Sequence, residues 1–266
     1  MKTAIFSDIH ANWEALEAVL KDIDAKGGVD QYWCLGDVTD YGPNPHECLT
    51  QMRQLKTLLV LGNHDAAVSG KLDYRKIFSF DFVSITSWTE EHLTPEDKAY
   101  LGALPLSAEV GDFTLVHGSP RDPLYEYVLD REKAALNLPY LKTRYCLIGH
   151  THVSACFEFE AGEALAEPVL FSQESGQKDF KDGKFNYKFQ SSGRPIIKLN
   201  SERMIINPGA VGQQRDRDPR AAYGAYNSEQ AIIELRRVEY NVEATHQKML
   251  SAGLPERLGQ NLLAGI

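Results

Sequence analysis

Residues 3–65 read TAIFSDIHANWEALEAVLKDIDAKGGVDQYWCLGDVTDYGPNPHECLTQMRQLKTLLVLGNHD, and this stretch decides the fold. Residues 3–6 are a short apolar run that stops at Ser7-Asp8-Ile9-His10, the pattern of a buried strand ending in a turn. Asn12 stands where a helix cap is needed. Trp13, Leu16, Val19, Leu20 and Ile23 then recur at helical spacing, Glu14 and Glu17 sit in the early turns, and Gly27-Gly28 ends the segment. Residues 31–35 form a second apolar run, ending in Gly36-Asp37. A Gly/Pro-rich loop at 41–45 and a helix over about 46–55 lead to a third run, 57–61, which ends in Gly62-Asn63-His64-Asp65. Strand, helix, strand, helix, strand in this order predicts parallel βαβ units.

Outward from that stretch, residues 66–104 read as helical, with Trp88, Leu93, Tyr100, Leu101 and Leu104 as core contacts. Thr94 and Asp97, with Pro95 between them, mark a helix start. Residues 113–116 are a strand ending in His117-Gly118. Residues 144–148 are another, ending in Gly149-His150-Thr151-His152. From about 158 to 203 the chain turns polar and loses helical period, with alternation at 184–189, which predicts a β-rich or irregular insertion. Strands resume at 196–199, 203–206, 223–226 and 231–238, and a helical tail runs over about 241–266. The expectation is one domain, 1–266, carrying the insertion and the tail.

Hydrophobic residues make up 43% and charged residues 24% of 266, an ordinary globular balance that buries a core without staples. The net charge of −9 argues against long nucleic acid as a partner, since phosphate neutralisation needs a basic surface. Small phosphorylated substrates stay compatible with it, because bound cations supply local positive charge. Cys34, Cys48, Cys146 and Cys156 form no C-x-x-C pair and sit in apolar settings, so they read as reduced core residues. The first candidate functional residue comes at position 8, and no apolar run approaches transmembrane length, so a cytoplasmic location is expected, with no membrane partner.

Five strand ends carry metal-ligand types: Asp8 with His10, Asp37, Asn63, His117, and His150 with His152. Open α/β sheets gather ligands outside the carboxyl ends of their strands, so these side chains are expected around one spot. A lone Asp-x-His or Gly-Asp is commonly only a turn. The ordered conjunction of all five is what points to a metal centre. Imidazole with carboxylate and amide oxygen suits manganese, foremost here, or iron, zinc or nickel. So many ligands imply two divalent ions sharing a carboxylate, at about 3.5–4 Å, the spacing that clamps an in-line displacement at phosphorus. The remaining histidines, His46, His92 and His246, fall on helical segments and read as surface residues.

The series D-x-H at 8–10, G-D at 36–37, G-N-H-D at 62–65, a strand-ending His117 and G-H-x-H at 149–152 resembles the calcineurin-like metallophosphoesterase superfamily. Residues 207–220, NPGAVGQQRDRDPR, resemble the tail block of its small bacterial and archaeal phosphodiesterase branch. The resemblance implies a four-layer αββα sandwich of two mixed β-sheets flanked by helices. It implies one ion held by Asp8, His10, Asp37 and His152, and a second held by Asp37, Asn63, His117 and His150. It also implies a water activated by both ions, His64 as the acid or charge stabiliser at the leaving group, and Asp65 as the carboxylate that orients His64. The implied activity is hydrolysis of phosphodiesters or phosphomonoesters of small substrates. Dinucleoside polyphosphates, phosphoproteins and a non-catalytic scaffold on the same fold are the alternatives.

Arg121, four residues past His117, is placed to pair with substrate phosphate. Arg215, Arg217 and Arg220 read as structural salt-bridge residues, and Tyr41 and Asn44 as cleft lining. The acidic insertion is open to two readings, a cap over the site or an interface of a homo-oligomer.

Overall fold

Alternation along the strands sets the layers. In the computed structural model, which describes residues 1–76, 80–160, 180, 181, 184, 185 and 196–266, strand β1 (Lys2–Phe6) turns Ala4 and Phe6 to one side and Ile5 to the other. Period-two geometry makes both faces apolar because both are covered. Ala4 and Phe6 pack on Leu16, Val19 and Ile23 of α1 (Trp13–Ala25) and on Leu49 and Met52 of α2 (Pro45–Gln54). Ile5 faces inward with Trp33 of β2 (Gln31–Cys34). The expected cap holds: the Asn12 side chain accepts from the Ala15 N–H at 3.2 Å.

β1, β2 and β3 (Leu58–Leu59) pair in parallel, as the βαβ reading requires, although β3 is only two residues long. The next segment is helical in three pieces, α3 (Asn63–Val68), α4 (Phe80–Glu91) and α5 (Pro95–Ala103). The last of these opens on a capping box between Thr94 and Asp97. Then come β4 (Ser107–Val110), β5 (Phe113–Val116), α6 (Arg131–Ala135), β6 (Tyr145–Leu147) and β7 (Ala155–Phe159). A two-residue pair, β8 (Phe180–Lys181) and β9 (Lys184–Phe185), precedes β10 (Ile196–Lys198), β11 (Arg203–Asn207), β12 (Ala221–Asn227) and β13 (Ile232–Val238). Helices α7 (Val242–Ser251) and α8 (Glu256–Ala264) close the chain. Most of the predicted insertion, including 186–189 of the predicted alternation, lies outside the described residues. The same is true of 77–79 within the predicted helical stretch.

Two mixed sheets result, in the orders β10-β13-β12-β1-β2-β3 and β4-β5-β6-β11-β7. Their facing sides share one core of Ile5, Trp33, Leu35, Phe113, Leu115, Tyr145, Leu147, Met204 and Ile206. The back of the second sheet, Val116, Cys146, Ile148 and Ile205, is covered by Val128, Ala134, Leu138 and Leu141 from the α6 region. Helix, sheet, sheet, helix is the four-layer sandwich expected. Its two parallel β1-β2-β3 and β5-β6-β11 runs end at the same place, and the loops there carry the candidate ligands. Cys34, Cys48 and Cys146 are buried and unpaired, as read. No helix among the described residues is long and apolar enough to cross a membrane.

Candidate metal centre

The turns at the strand ends are tight enough to strain the backbone. Asp8, His10, Asp37, Asp40, Tyr41, His150 and His152 all adopt positive φ, between 47° and 72°, seven of the eleven such non-glycine residues among those described. Each costs energy that the fold tolerates only where surroundings over-determine it, and such outliers cluster at functional sites. The turns also need bare neighbours. A Cβ on Gly62 would meet Asp37 Oδ1 at 2.0 Å, and one on Gly149 would meet Ser7 Oγ at 2.0 Å. The block at 207–214 clasps the same loops from the other side. Val211 and Gly212 donate to the carbonyls of Ser7 and Asp8 at 2.9 and 3.0 Å, and the Asn207 amide donates to Gly149 O at 2.7 Å.

These turns bring the predicted ligands into two groups, Asp8 with His10 and His152, and Asp37 with His117 and His150. In each, the donor atoms lie within 4.8 Å of one another. Three imidazoles place Nδ1 against a backbone carbonyl: His10 on Thr39 O (3.0 Å), His117 on Leu35 O (2.8 Å) and His152 on Gln213 O (2.5 Å). Nδ1 therefore carries the proton, and the Nε2 lone pairs face the centre, the outer support typical of metal-binding histidines. Asn63 Oδ1 lies 3.0 Å from His117 Nε2, and His150 Nδ1 lies 3.2 Å from it. Asp37 Oδ2 stands between the groups, 3.1 Å from His117 Nε2 and 3.8 Å from His10 Nε2.

So many acceptors pressed together need a cation. Asp8 Oδ1, Asp37 Oδ2 and His150 Nε2 are buried with no hydrogen-bond partner, a cost that native proteins rarely leave uncompensated. Without a metal, protons take up part of the charge. Burial works against it, but Asp37 and Asp8 push His117 up to about 9. Burial drives His10, His150 and His152 down, aided by neighbouring cations. Asp8 stays low despite its burial, because His152 lies beside it. The residues fit a pair of divalent ions, with oxygen and imidazole nitrogen donors and no thiolate.

His64 is buried beside the groups, and its backbone N–H donates to Asp37 Oδ1 at 2.9 Å. Its imidazole Nδ1 lies 2.6 Å from Asp40 Oδ2, not against Asp65. Asp65 instead accepts from the N–H groups of Val38 and Thr39 and from the Thr39 hydroxyl, so it braces the Asp37 turn, and the sequence expectation for it is corrected. Helix direction explains this: Asp65 follows His64 within α3 and points away from it, whereas Asp40 approaches from a different loop. Thr86 and Thr89 of α4 donate to Asp40 at 2.8 and 3.2 Å and fix it. Burial opposes it, yet Asp37 and Asp40 raise the His64 pKa above its ordinary value.

Arg121 is also corrected. Its Nε donates to both Glu126 oxygens at 3.0 and 2.8 Å, and its Nη2 also donates to Oε1, so the fork is committed inside the protein. Ser119 and Asn137 add donors to Glu126. Burial raises Glu126, but these partners outweigh it and hold it at about 2. Arg121→Met should therefore lower stability by about 2 kcal/mol while KM moves by no more than about twofold. A carboxylate held below its ordinary 4.5 contributes in full above that pH and loses the contribution as pH falls toward 2. The gap between the two proteins in urea melts should accordingly be full at pH 7 and shrink below about pH 4.5. A rise in KM without a change in stability would restore the substrate role.

Arg220 does pair with Asp218, as the salt-bridge reading expects. Arg215 does not: its Nη2 donates to Gln213 Oε1 (3.2 Å) and Tyr41 Oη (3.4 Å), and no carboxylate pairs with it among the described residues. Tyr41 packs edge-on against His10, with centroids 4.6 Å apart, and sits 4.9 Å from His64. Tyr127 stacks on His150 at 4.0 Å and remains 43% exposed, so it walls the mouth of the centre. Sequence reasoning missed Asp40 and Tyr127. His246, read as a surface residue, is buried under α8, where Gly259 leaves room for its ring.

Comparison with known proteins agrees with this geometry. A family model described as calcineurin-like phosphoesterase matches residues 1–154. The crystal structure of a metallophosphoesterase from Sphaerobacter thermophilus superposes with a TM-score of 0.80 at 40% identity, covering 100% of both chains. An uncharacterised protein of Methanocaldococcus jannaschii is 32% identical over 98% of this chain and 97% of its own length. A symmetrical bis(5'-nucleosyl)-tetraphosphatase of Shewanella sediminis is 31% identical over 45% of this chain, and the match spans 37% of that enzyme.

Proposed function

The chain belongs to the calcineurin-like phosphoesterase family and is a phosphoric ester hydrolase, and from that premise we propose that it cleaves diesters or monoesters of small phosphorylated substrates at a two-metal centre. The observation that carries the reading is Asp37 Oδ2, unpartnered and poised between two three-residue donor groups. In this reading Asp8, His10, Asp37 and His152 hold one ion, and Asp37, Asn63, His117 and His150 the other, manganese foremost. Bound ions supply Lewis-acid polarisation of the phosphoryl oxygens and ease ionisation of the attacking water.

The chain's own groups do the rest. The carbonyls of Thr39, Leu35 and Gln213 fix the imidazole tautomers, so the donor set is organised before substrate arrives. His64, held by Asp40, gives a proton or a positive charge to the departing oxygen. Tyr127 and Tyr41 narrow the mouth. One catalytic domain spans 1–266, with the insertion at about 158–203 as an embellishment. Dinucleoside polyphosphates are a second reading, favoured by the name of the Shewanella relative.

The test is release of nitrophenol from bis(4-nitrophenyl) phosphate and 4-nitrophenyl phosphate with manganese, iron, zinc, nickel or no metal added. Hydrolysis should require a divalent ion and stop with chelator. Equal rates with and without metal, or no release under any condition, would overturn the proposal.

A further inference from the structure

Arg215 is a cation whose hydrogen-bond partners among the described residues are all neutral. Gln213 Oε1 and the Tyr41 hydroxyl both accept from Nη2. Neutral partners position a guanidinium without cancelling its charge, and five N–H donors exceed what these partners use. Its neighbours in the loop differ: Asp216 is taken by Arg237 and Asp218 by Arg220, so the acids adjacent in sequence are engaged elsewhere. Position is set by Tyr41, whose ring touches both His10 and His64 while its hydroxyl meets Arg215. Arg215 therefore lies at the hydroxyl end of Tyr41, on the flank of the centre that His64 shares with His10.

We propose that Arg215, held by Tyr41 and Gln213, forms an anion subsite on the leaving-group side and selects substrates whose leaving group is itself a phosphate, that is, phosphoanhydrides. This rests on the phosphoesterase reading above. In the step proposed, the water oxygen bonds to phosphorus and the bridging P–O bond breaks. Its electron pair departs on the leaving phosphate, one water proton stays on the new phosphoryl hydroxyl, and the other goes to solvent. The leaving phosphate needs no proton, because Arg215 pairs with its charge through a planar fork suited to phosphate.

The experiment compares diadenosine tetraphosphate with bis(4-nitrophenyl) phosphate for wild type, Arg215→Met, Arg215→Lys and Arg220→Met. ADP affinity is measured in parallel by calorimetry on the metal-loaded proteins. Arg215→Met should lose about 30-fold or more in kcat/KM on the polyphosphate but only a few-fold on the nitrophenyl diester, and should bind ADP about tenfold more weakly. Arg215→Lys should recover part of each loss, and Arg220→Met should move none of them. Equal losses on both substrates, unchanged ADP affinity, or a wild type that cleaves the diester but not the polyphosphate would overturn the subsite. A wild type inactive on both would sink the phosphoesterase reading instead, and ADP calorimetry would still decide the subsite.

Discussion

Asp37→Asn should lower kcat about a thousandfold and reduce bound metal from two ions to one or fewer per chain, because a two-metal clamp supplies several kcal/mol of charge stabilisation. The choice of asparagine matters. Asp37 has φ 54°, a conformation that asparagine also tolerates, and its Oδ1 accepts from the His64 N–H. Asparagine keeps the turn and that hydrogen bond and removes only the charge. Asp37 Oδ2 is the atom within reach of histidines from both donor groups, so the loss falls on both together. Alanine would confound the result by straining the turn. Elemental analysis of dialysed protein alongside kcat decides the matter. Full metal content, or turnover within about tenfold of wild type, would show that Asp37 does not link the groups.

The candidate ligands were legible because each sits where a short apolar run stops. Phe6, Cys34, Val116 and Leu147 end strands, and the residues just beyond them have nowhere to point but the loop cluster at the carboxyl edge. A strand's end is a local property of sequence. Asp40 was not legible, because its meaning comes from His64, 24 residues on, and from two threonines of α4, and no spacing rule joins these. Asp65 was misread for the complementary reason: adjacency in sequence suggested a pair that helix geometry keeps apart. The arginines repeat the lesson. Arg121 lies near a candidate ligand in sequence yet is consumed by Glu126, whereas Arg215 lies far from every candidate ligand in sequence and is brought to the rim by the clasp at 207–214. The layers were legible from alternation, whereas strand lengths were not, as the two residues of β3 show: the Leu61 N–H, just beyond it, donates to Pro105 O at 2.8 Å, a partner that no local pattern announces.

His64→Asn should cut kcat on alkyl and aryl diesters by about a hundredfold to ten-thousandfold while leaving both ions in place. His64 contributes no atom to either donor group, so metal content is not expected to follow activity. Its Nδ1 is taken by Asp40 at 2.6 Å, so any proton it gives comes from Nε2. Asp37 and Asp40 raise its pKa against the effect of burial, which keeps the imidazolium populated nearer to neutral pH than burial alone would allow. A proton donor matters most when the departing oxygen is basic. The loss should therefore grow along a series of substituted phenyl and alkyl diesters as the leaving-group pKa rises, steepening the Brønsted slope relative to wild type. On a phosphoanhydride, whose leaving phosphate departs as an anion, the loss should be smallest. A uniform loss across the series would assign His64 to positioning, and a parallel fall in bound metal would make it part of the metal shell.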